Sequence, residues 1–187
     1  MPELEQYLQA YFFVPENELQ LLSELFEMKT VKKGDFFVKP GHYCNELAFI
    51  QTGIVRIFAD SGDKVITQWL ATPGYFITDL RSLVFDETSR WNMQALTDVT
   101  TYSISKENYK VIGDKIQNWA ELEKRFLSNC FITLEERVFS FLSATAKERY
   151  DFLFDLNPSL FNEVPLQYIA SMLGMTPETL SRIRAKK

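Results

Sequence analysis

The chain is poor in the residues that carry most enzyme chemistry. Its 187 residues include one histidine, His42. A single imidazole removes histidine-paired nucleophiles, most general acid–base pairs and most metal sites. The two cysteines, Cys44 and Cys130, stand far apart and cannot by themselves bind an iron–sulfur cluster or close a zinc site. A disulfide between them is disfavoured in a cytosolic chain, so both read as small buried hydrophobes. No glycine-rich phosphate loop and no nucleophile elbow is present. No apolar run approaches the length of a membrane span. The N-terminal MPELEQYLQAYFFV is acidic and lacks the basic-then-apolar layout of a secretion signal. These absences lead to the expectation of a cytoplasmic chain with no catalytic residues, no metal and no membrane partner.

What is present is a folding composition, with 46% hydrophobic residues and little low-complexity sequence. That content and length suffice for one or two domains with a sizeable core. Residues 2–29 read as helical, with Leu19, Leu22, Leu25 and Phe26 forming an apolar stripe opposite Glu16, Glu18 and Glu24. From Thr30 to Ser105 the pattern changes. The β-rich runs FFV, LAFI, IVRIFA, KVITQWLA, MQAL and VTTYSI alternate with the turn signals KKGD, KPGH, QTG, DSGDK and TPGY. That spacing suggests a sandwich or jelly roll. Residues 106–143 turn helical again. Leu127, Phe131, Leu134, Val138 and Phe141 step as a heptad seam, and Trp119, Leu122, Phe126 and Cys130 form a second stripe. One stripe suits packing on the β domain and the other a partner helix, which points to a homodimer; a helix buried within one subunit is the plainer alternative. A short helix is expected over 145–154, broken by Asn157-Pro158, with a loop running on to Pro165.

The segment PLQYIASMLGMTPETLSRIRAKK carries the clearest signal. Ile169, Ala170 and Leu173 recur at helical spacing before Gly174, and Leu180 and Ile183 recur after it. Gly174 suits the left-handed conformation that ends a helix, and Met175 would tuck into the seam. Thr176 suits an N-cap and Pro177 the first helical position. This is the layout of a DNA-binding helix-turn-helix. With Leu180 and Ile183 facing inward, Glu178, Thr179, Ser181 and Arg182 face outward. A carboxylate at Glu178 can accept from a cytosine amino group, and Arg182 can grip a guanine edge. Gln167, Thr176 and Thr179 suit phosphate oxygens, with Pro177 and Arg184 on the same element. The plainer reading is a solvated helical hairpin in which Glu178 and Arg182 form an ordinary ion pair. Charge favours the former. From Leu166 onward one acid, Glu178, faces four bases, Arg182, Arg184, Lys186 and Lys187, while the whole chain carries −5.

The arrangement resembles the Crp/Fnr family of bacterial transcription regulators over nearly the whole chain. The resemblance rests on the glycines Gly34, Gly41, Gly53, Gly62 and Gly74, spaced like the turns of a cyclic-nucleotide-binding β-roll, and on the ending IASMLGMTPETLSRIR. It implies an α+β fold: an N-terminal double-stranded β-helix over 1–113, a long dimerisation helix over 114–143, and an all-α helix-turn-helix domain over 144–187 with little or no wing. It further implies double-stranded operator DNA and RNA polymerase as partners and a small effector bound in the roll. Glu178 and Arg182 fall where the family reads bases, while Pro177 stands where a further arginine is often found.

The effector segment departs from the family pattern. Cyclic-nucleotide binders of this kind carry Gly-Glu-Leu, whose carboxylate holds the ribose, and then an Arg-Ser or Arg-Ala pair, whose arginine neutralises the phosphate. Here the first segment is Thr78-Asp79-Leu80 and the second is Ser89-Arg90. Matching through Gln94-Ala95 puts Ser89 at the phosphate position and Arg90 one place later, a step that reverses a strand face. A bulge would restore it. Arg81 is another candidate cation. The expectation is a roll that does not bind cyclic AMP in the usual way, with a cyclic nucleotide or another small molecule as the candidate effector. The alternative function is a sensor module whose helix-turn-helix serves protein interaction.

Overall fold

A computed structural model describes residues 2–185. Two helices, α1 (Pro2–Phe12) and α2 (Glu16–Ser23), open the chain. Strands β1 (Glu27–Val31), β2 (Phe36–Val38), β3 (Glu46–Thr52), β4 (Val55–Ser61), β5 (Lys64–Ala71) and β6 (Phe76–Ile77) follow. A short helix, α3 (Leu80–Phe85), precedes β7 (Asn92–Ala95) and β8 (Val99–Ser105). Helix α4 (Lys106–Lys110) and a 3-10 turn at Ile112–Asp114 lead into α5 (Trp119–Ser143). The remainder is helical: α6 (Ala146–Leu156), α7 (Leu160–Glu163), α8 (Leu166–Met172) and α9 (Pro177–Arg184).

The strands form two antiparallel sheets, ordered β1-β8-β3-β6 and β2-β7-β4-β5. This is the jelly roll that the turn spacing suggests, within an α+β chain. Side chains alternate across β3. Ala48 and Ile50 fill the roll with Val38, Val55, Met93 and Val99. Leu47 and Phe49 point the other way, into a second core made with α1, α2 and the start of α5. Both faces of β3 are therefore covered, which explains its nearly continuous apolar run. Gly53 makes the turn after β3 possible. Its φ is +88°, and a Cβ there would lie 2.4 Å from the carbonyl oxygen of Asp98.

Several expected boundaries move. Residues 27–29 belong to β1, not to a helix, because Glu27–Val31 pairs in register with β8. The expected helix over 106–143 is interrupted. Its long part starts at Trp119, not at 114, because Asn118 takes a left-handed φ of +56°. The stretch before Pro165 is not all loop, since α7 forms there and buries Leu160 and Phe161. Cys44 is buried as expected, but Cys130 is exposed on α5.

On α5, Trp119, Leu122 and Phe126 are buried against the roll side. The heptad residues further along are not covered: Phe131 is 64% exposed, Leu134 49% and Val138 51%. Helix α6 then starts from a capping box in which Thr145 and Glu148 each satisfy the other's backbone amide. The C-terminal helices share a core of Tyr150, Leu160, Phe161, Ile169, Ala170 and Leu180, into which Ile54 and Leu70 of the roll also pack. The C-terminal helices are thus seated on the second sheet and not held by α5 alone.

Candidate nucleic-acid interface and effector segment

Helix α9 begins as its sequence suggests. Thr176 is the N-cap and its hydroxyl accepts from the Thr179 amide at 3.2 Å, with Pro177 in the first turn. Gly174 closes α8 with φ +66°, and a Cβ there would meet the Phe141 ring at 2.7 Å. Leu180 is fully buried and Ile183 half-buried, which fixes the rotation of α9. Thr176, Pro177, Glu178, Ser181, Arg182 and Arg184 are all exposed. Thr179 is half-buried, and its hydroxyl accepts from Thr176 Oγ1 at 3.2 Å and from the Arg182 guanidinium at 3.1 Å.

Glu178 and Arg182 form no salt bridge among the described residues; Arg182 is steadied by Thr179 instead. The Glu178 carboxyl is held below the usual glutamate range, first by its own backbone amide, then by the Thr176 hydroxyl and the Arg182 charge. It is therefore an ionised acceptor beside a pre-oriented donor fork. Gln167 is also exposed, but it lies on α8 and lines a cleft toward the roll with Arg56, Val65, Tyr168 and Ser171.

The turn of this unit is clamped from two sides. Arg137 of α5 donates to the Met172 carbonyl at 3.2 Å and lies over the Trp69 ring at 4.6 Å. Arg149 of α6 donates through Nε to the Leu173 carbonyl at 3.0 Å and through Nη1 to the Ala144 carbonyl at 2.6 Å. These guanidinium groups occupy carbonyls that the end of α8 leaves without helical partners. Neither arginine stands out in the sequence, because each lies on a helix whose pattern looks merely amphipathic.

The effector segment lies between β6 and β7. Asp79 is 4% exposed and caps α3, with Oδ1 accepting from the amides of Arg81 at 2.9 Å and Ser82 at 3.3 Å. Its Oδ2 accepts from the Ser89 hydroxyl at 2.6 Å, and that same hydroxyl accepts from the Trp91 amide at 2.9 Å. Asp79 and Ser89 are thus brought together and satisfy one another. The other candidates point elsewhere. Thr78 donates to the Glu46 carbonyl at 2.9 Å. Leu80 is half-exposed. Arg81 pairs with Glu87 at 3.2 Å on the surface, and exposed Arg90 lies 4.5 Å over the Trp91 ring. Neither cation joins the Asp79–Ser89 pair. Of the aromatics, Trp69, Tyr75 and Trp91 pack on the roll core, whereas Phe85 is 69% exposed.

Sequence reasoning does not find Lys106. This lysine is 5% exposed and donates to the Ser82 carbonyl and to Asp86 Oδ1, the latter at 2.6 Å. The Lys106 hydrogen bond and charge, with Lys110 adding, hold the Asp86 carboxyl below the usual range. Both ends of α3 are therefore tied down by side chains of this chain.

Residues 28–113 match the family profile described as Cyclic nucleotide-binding domain. The fold as a whole is that of Crp/Fnr-type regulators. A regulator of the Crp/Fnr family from Eubacterium rectale superposes with a TM-score of 0.69 at 18% identity, covering 97% of this chain and 87% of that one. FixK2 from Bradyrhizobium japonicum gives 0.68 at 18% identity, covering 86% and 83%. A mutant of CooA from Carboxydothermus hydrogenoformans gives 0.65 at 19% identity, covering 88% and 77%. No functionally curated protein matches the sequence significantly. Among the described residues no helix is long and apolar enough to cross a membrane.

Proposed function

We propose that the chain is a homodimeric, DNA-binding transcription regulator of Crp/Fnr type whose roll does not take cyclic AMP in the usual way. The observation that carries the DNA reading is the outer face of α9. It presents Glu178, Ser181, Arg182 and Arg184 to solvent on a helix whose inner face and both flanking turns are fixed. An ionised carboxylate four residues from an arginine fork matches the donor and acceptor pattern of base edges in a major groove. Thr176 and the α8 residue Gln167 supply short polar groups for phosphates.

The dimer reading rests on α5. Fully covering a large apolar side chain contributes about 1.5–3 kcal/mol. Phe131, Leu134 and Val138 offer three such groups at heptad spacing, each left about half exposed or more in one chain, so a partner would gain part of that amount from each. A second copy of α5 is the partner that suits a seam of this period. Two reading helices related by that two-fold axis would meet a pseudo-palindromic site.

The effector reading rests on Asp79 and Ser89. A cyclic phosphate needs a cation or free donors, and among the described residues the Arg81 and Ser82 amides and the Ser89 hydroxyl already serve the Asp79 carboxylate. Arg81 and Arg90 are engaged on the surface. Contacts with RNA polymerase belong to the same reading by resemblance.

Selection from a random pool of double-stranded DNA, with and without cyclic AMP and cyclic GMP, tests both halves. The expected result is an enriched inverted repeat whose recovery falls steeply with salt and does not depend on either nucleotide. No enrichment at low salt would overturn the DNA reading in favour of a protein-interaction surface. Enrichment only with nucleotide would overturn the effector reading.

A further inference from the structure

The cleft between the roll and the helix-turn-helix contains a cation that the fold leaves unneutralised. Arg56 faces outward from β4, yet it is only 6% exposed because α8 covers it. The Tyr168 ring lies 3.6 Å from its guanidinium carbon and the Phe58 ring 4.1 Å. Within the guanidinium plane, Nε donates to Thr67 Oγ1 at 3.0 Å. The two terminal nitrogens have no acceptor, and Arg56 has no carboxylate partner, among the described residues. The aromatic faces cover the two sides of the guanidinium plane, and its terminal nitrogens are left to the cleft and its solvent. Burial also pushes the Arg56 guanidinium down.

The space beside it is built from polar groups of both domains. The cleft has a volume of about 370 Å³ and is lined by Arg56, Val65, Gln167, Tyr168 and Ser171, with no acidic side chain among them. Ser171 already bridges the domains, accepting from the Thr67 amide at 2.9 Å and reaching the Val65 carbonyl at 3.4 Å. Gln167 is exposed and adds an amide donor. A guanidinium edge that opens on a cleft, with neutral donors beside it, is a receptor for a planar or tetrahedral oxyanion.

We propose that this cleft binds a small oxyanion, a phosphate monoester or a carboxylate, held by Arg56 from the roll and by Gln167 from the helix-turn-helix. The ligand bridges the two domains and stabilises their docked arrangement, because it binds the docked form better than the separated one. Control of DNA affinity through this site rests on the DNA-binding reading; the binding itself does not.

Thermal unfolding of the full chain reads binding without DNA. The probes are inorganic phosphate and succinate, each titrated against sodium chloride at matched ionic strength. A saturable rise in Tm beyond chloride is expected from at least one. Phosphate alone identifies a phosphate ligand, succinate alone a carboxylate, and both a general oxyanion fork. Removing the fork by Arg56→Met should weaken the half-saturating concentration about tenfold or more. Gln167→Ala should weaken it several-fold, and as an exposed site it carries the test if Arg56→Met does not fold. Arg90→Ala should leave it unchanged. No saturable effect from either probe, or unchanged affinity in Gln167→Ala and in a folded Arg56→Met, would overturn the proposal even if specific DNA binding is found.

Discussion

Replacing Ser89 with alanine is the sharpest probe of the effector segment. The substitution deletes one methyl-sized polar group from a site that is 3% exposed. It removes the donor at 2.6 Å from Asp79 Oδ2 and the acceptor at 2.9 Å from the Trp91 amide. A hydrogen bond to a buried charged group contributes about 1.5–3 kcal/mol, and a neutral one about 0.5–1.5 kcal/mol. Trp91 is half-buried, so water recovers part of the second term. A destabilisation of about 2–3 kcal/mol is therefore expected in urea-induced unfolding, with the slope unchanged and the midpoint lowered. Ser89→Thr keeps the hydroxyl and should recover much of it if the extra methyl fits. The same variants titrated with cyclic AMP by calorimetry separate a latch from an open pocket. A cost below about 0.5 kcal/mol, within the range of ordinary surface substitutions, would show that the Asp79–Ser89 bond does not hold the segment closed. Cyclic AMP binding to the unaltered chain that Ser89→Ala abolishes would refute the self-satisfied site altogether.

Arg182→Ala should weaken binding to the selected DNA by about 1–3 kcal/mol and relax specificity at one base pair, as read by competition with single-base variants. Val138→Glu places a charge on the uncovered seam of α5 and should shift sedimentation from dimer to monomer at micromolar concentration while leaving far-ultraviolet circular dichroism unchanged. Gly174→Ala forces an L-residue to φ +66° and crowds the Phe141 ring, so it should cost at least about 1–2 kcal/mol in thermal unfolding and reduce DNA binding with it. Lys106→Met removes the group that depresses the Asp86 carboxyl. A depressed folded-state carboxyl contributes stability above its unfolded pKa that is lost as pH falls through the folded value. The variant should therefore show a weaker loss of stability on acidification than the unaltered chain, measured as midpoint against pH below neutrality.

The C-terminal helix pair α8 and α9 is legible in the sequence because its determinants are local. Gly174, Thr176 and Pro177 specify the end of one helix and the start of the next within four positions, and Leu180 fixes which way α9 faces. The strands of the roll were legible for a similar reason, since turn residues punctuate them. Strand β1 was not, because EMKTV has no covered apolar face and owes its conformation to pairing with β8. Helix α3 escaped too. Its six residues include exposed Val84 and Phe85, and it exists because Asp79 caps one end and Lys106 holds the other. In the effector segment the sequence shows that Asp79 is a carboxylate and Ser89 a hydroxyl; it does not show that the two meet. Arg56 is the extreme case. Within the run IVRIFA it reads as an ordinary outward residue of a half-buried strand, and only α8, more than a hundred residues later, buries it.

That long-range burial also explains why β5 is not a hazard. It is an edge strand of its sheet, and an uncovered edge invites pairing with other chains. A register shift opposite Ile57 and Phe58 leaves Gln68 unpaired, and just beyond it the Thr67 amide turns to Ser171. One serine hydroxyl of α8 thus serves an amide and, more weakly, a carbonyl of the strand, as a neighbouring strand would. The end of the same helix gives its carbonyls to Arg137 of α5 and Arg149 of α6. Helix α8 consequently touches the roll edge, the long helix and α9 together. A displacement of α5 cannot leave α8 in place without giving up the Arg137–Met172 bond and the packing of Phe141 against Gly174. The roll edge opposes that displacement through Ser171 and the stacked Arg56–Tyr168 pair. The orientation of α9 therefore depends on both attachments, and the proposed oxyanion at Arg56 would strengthen one of them.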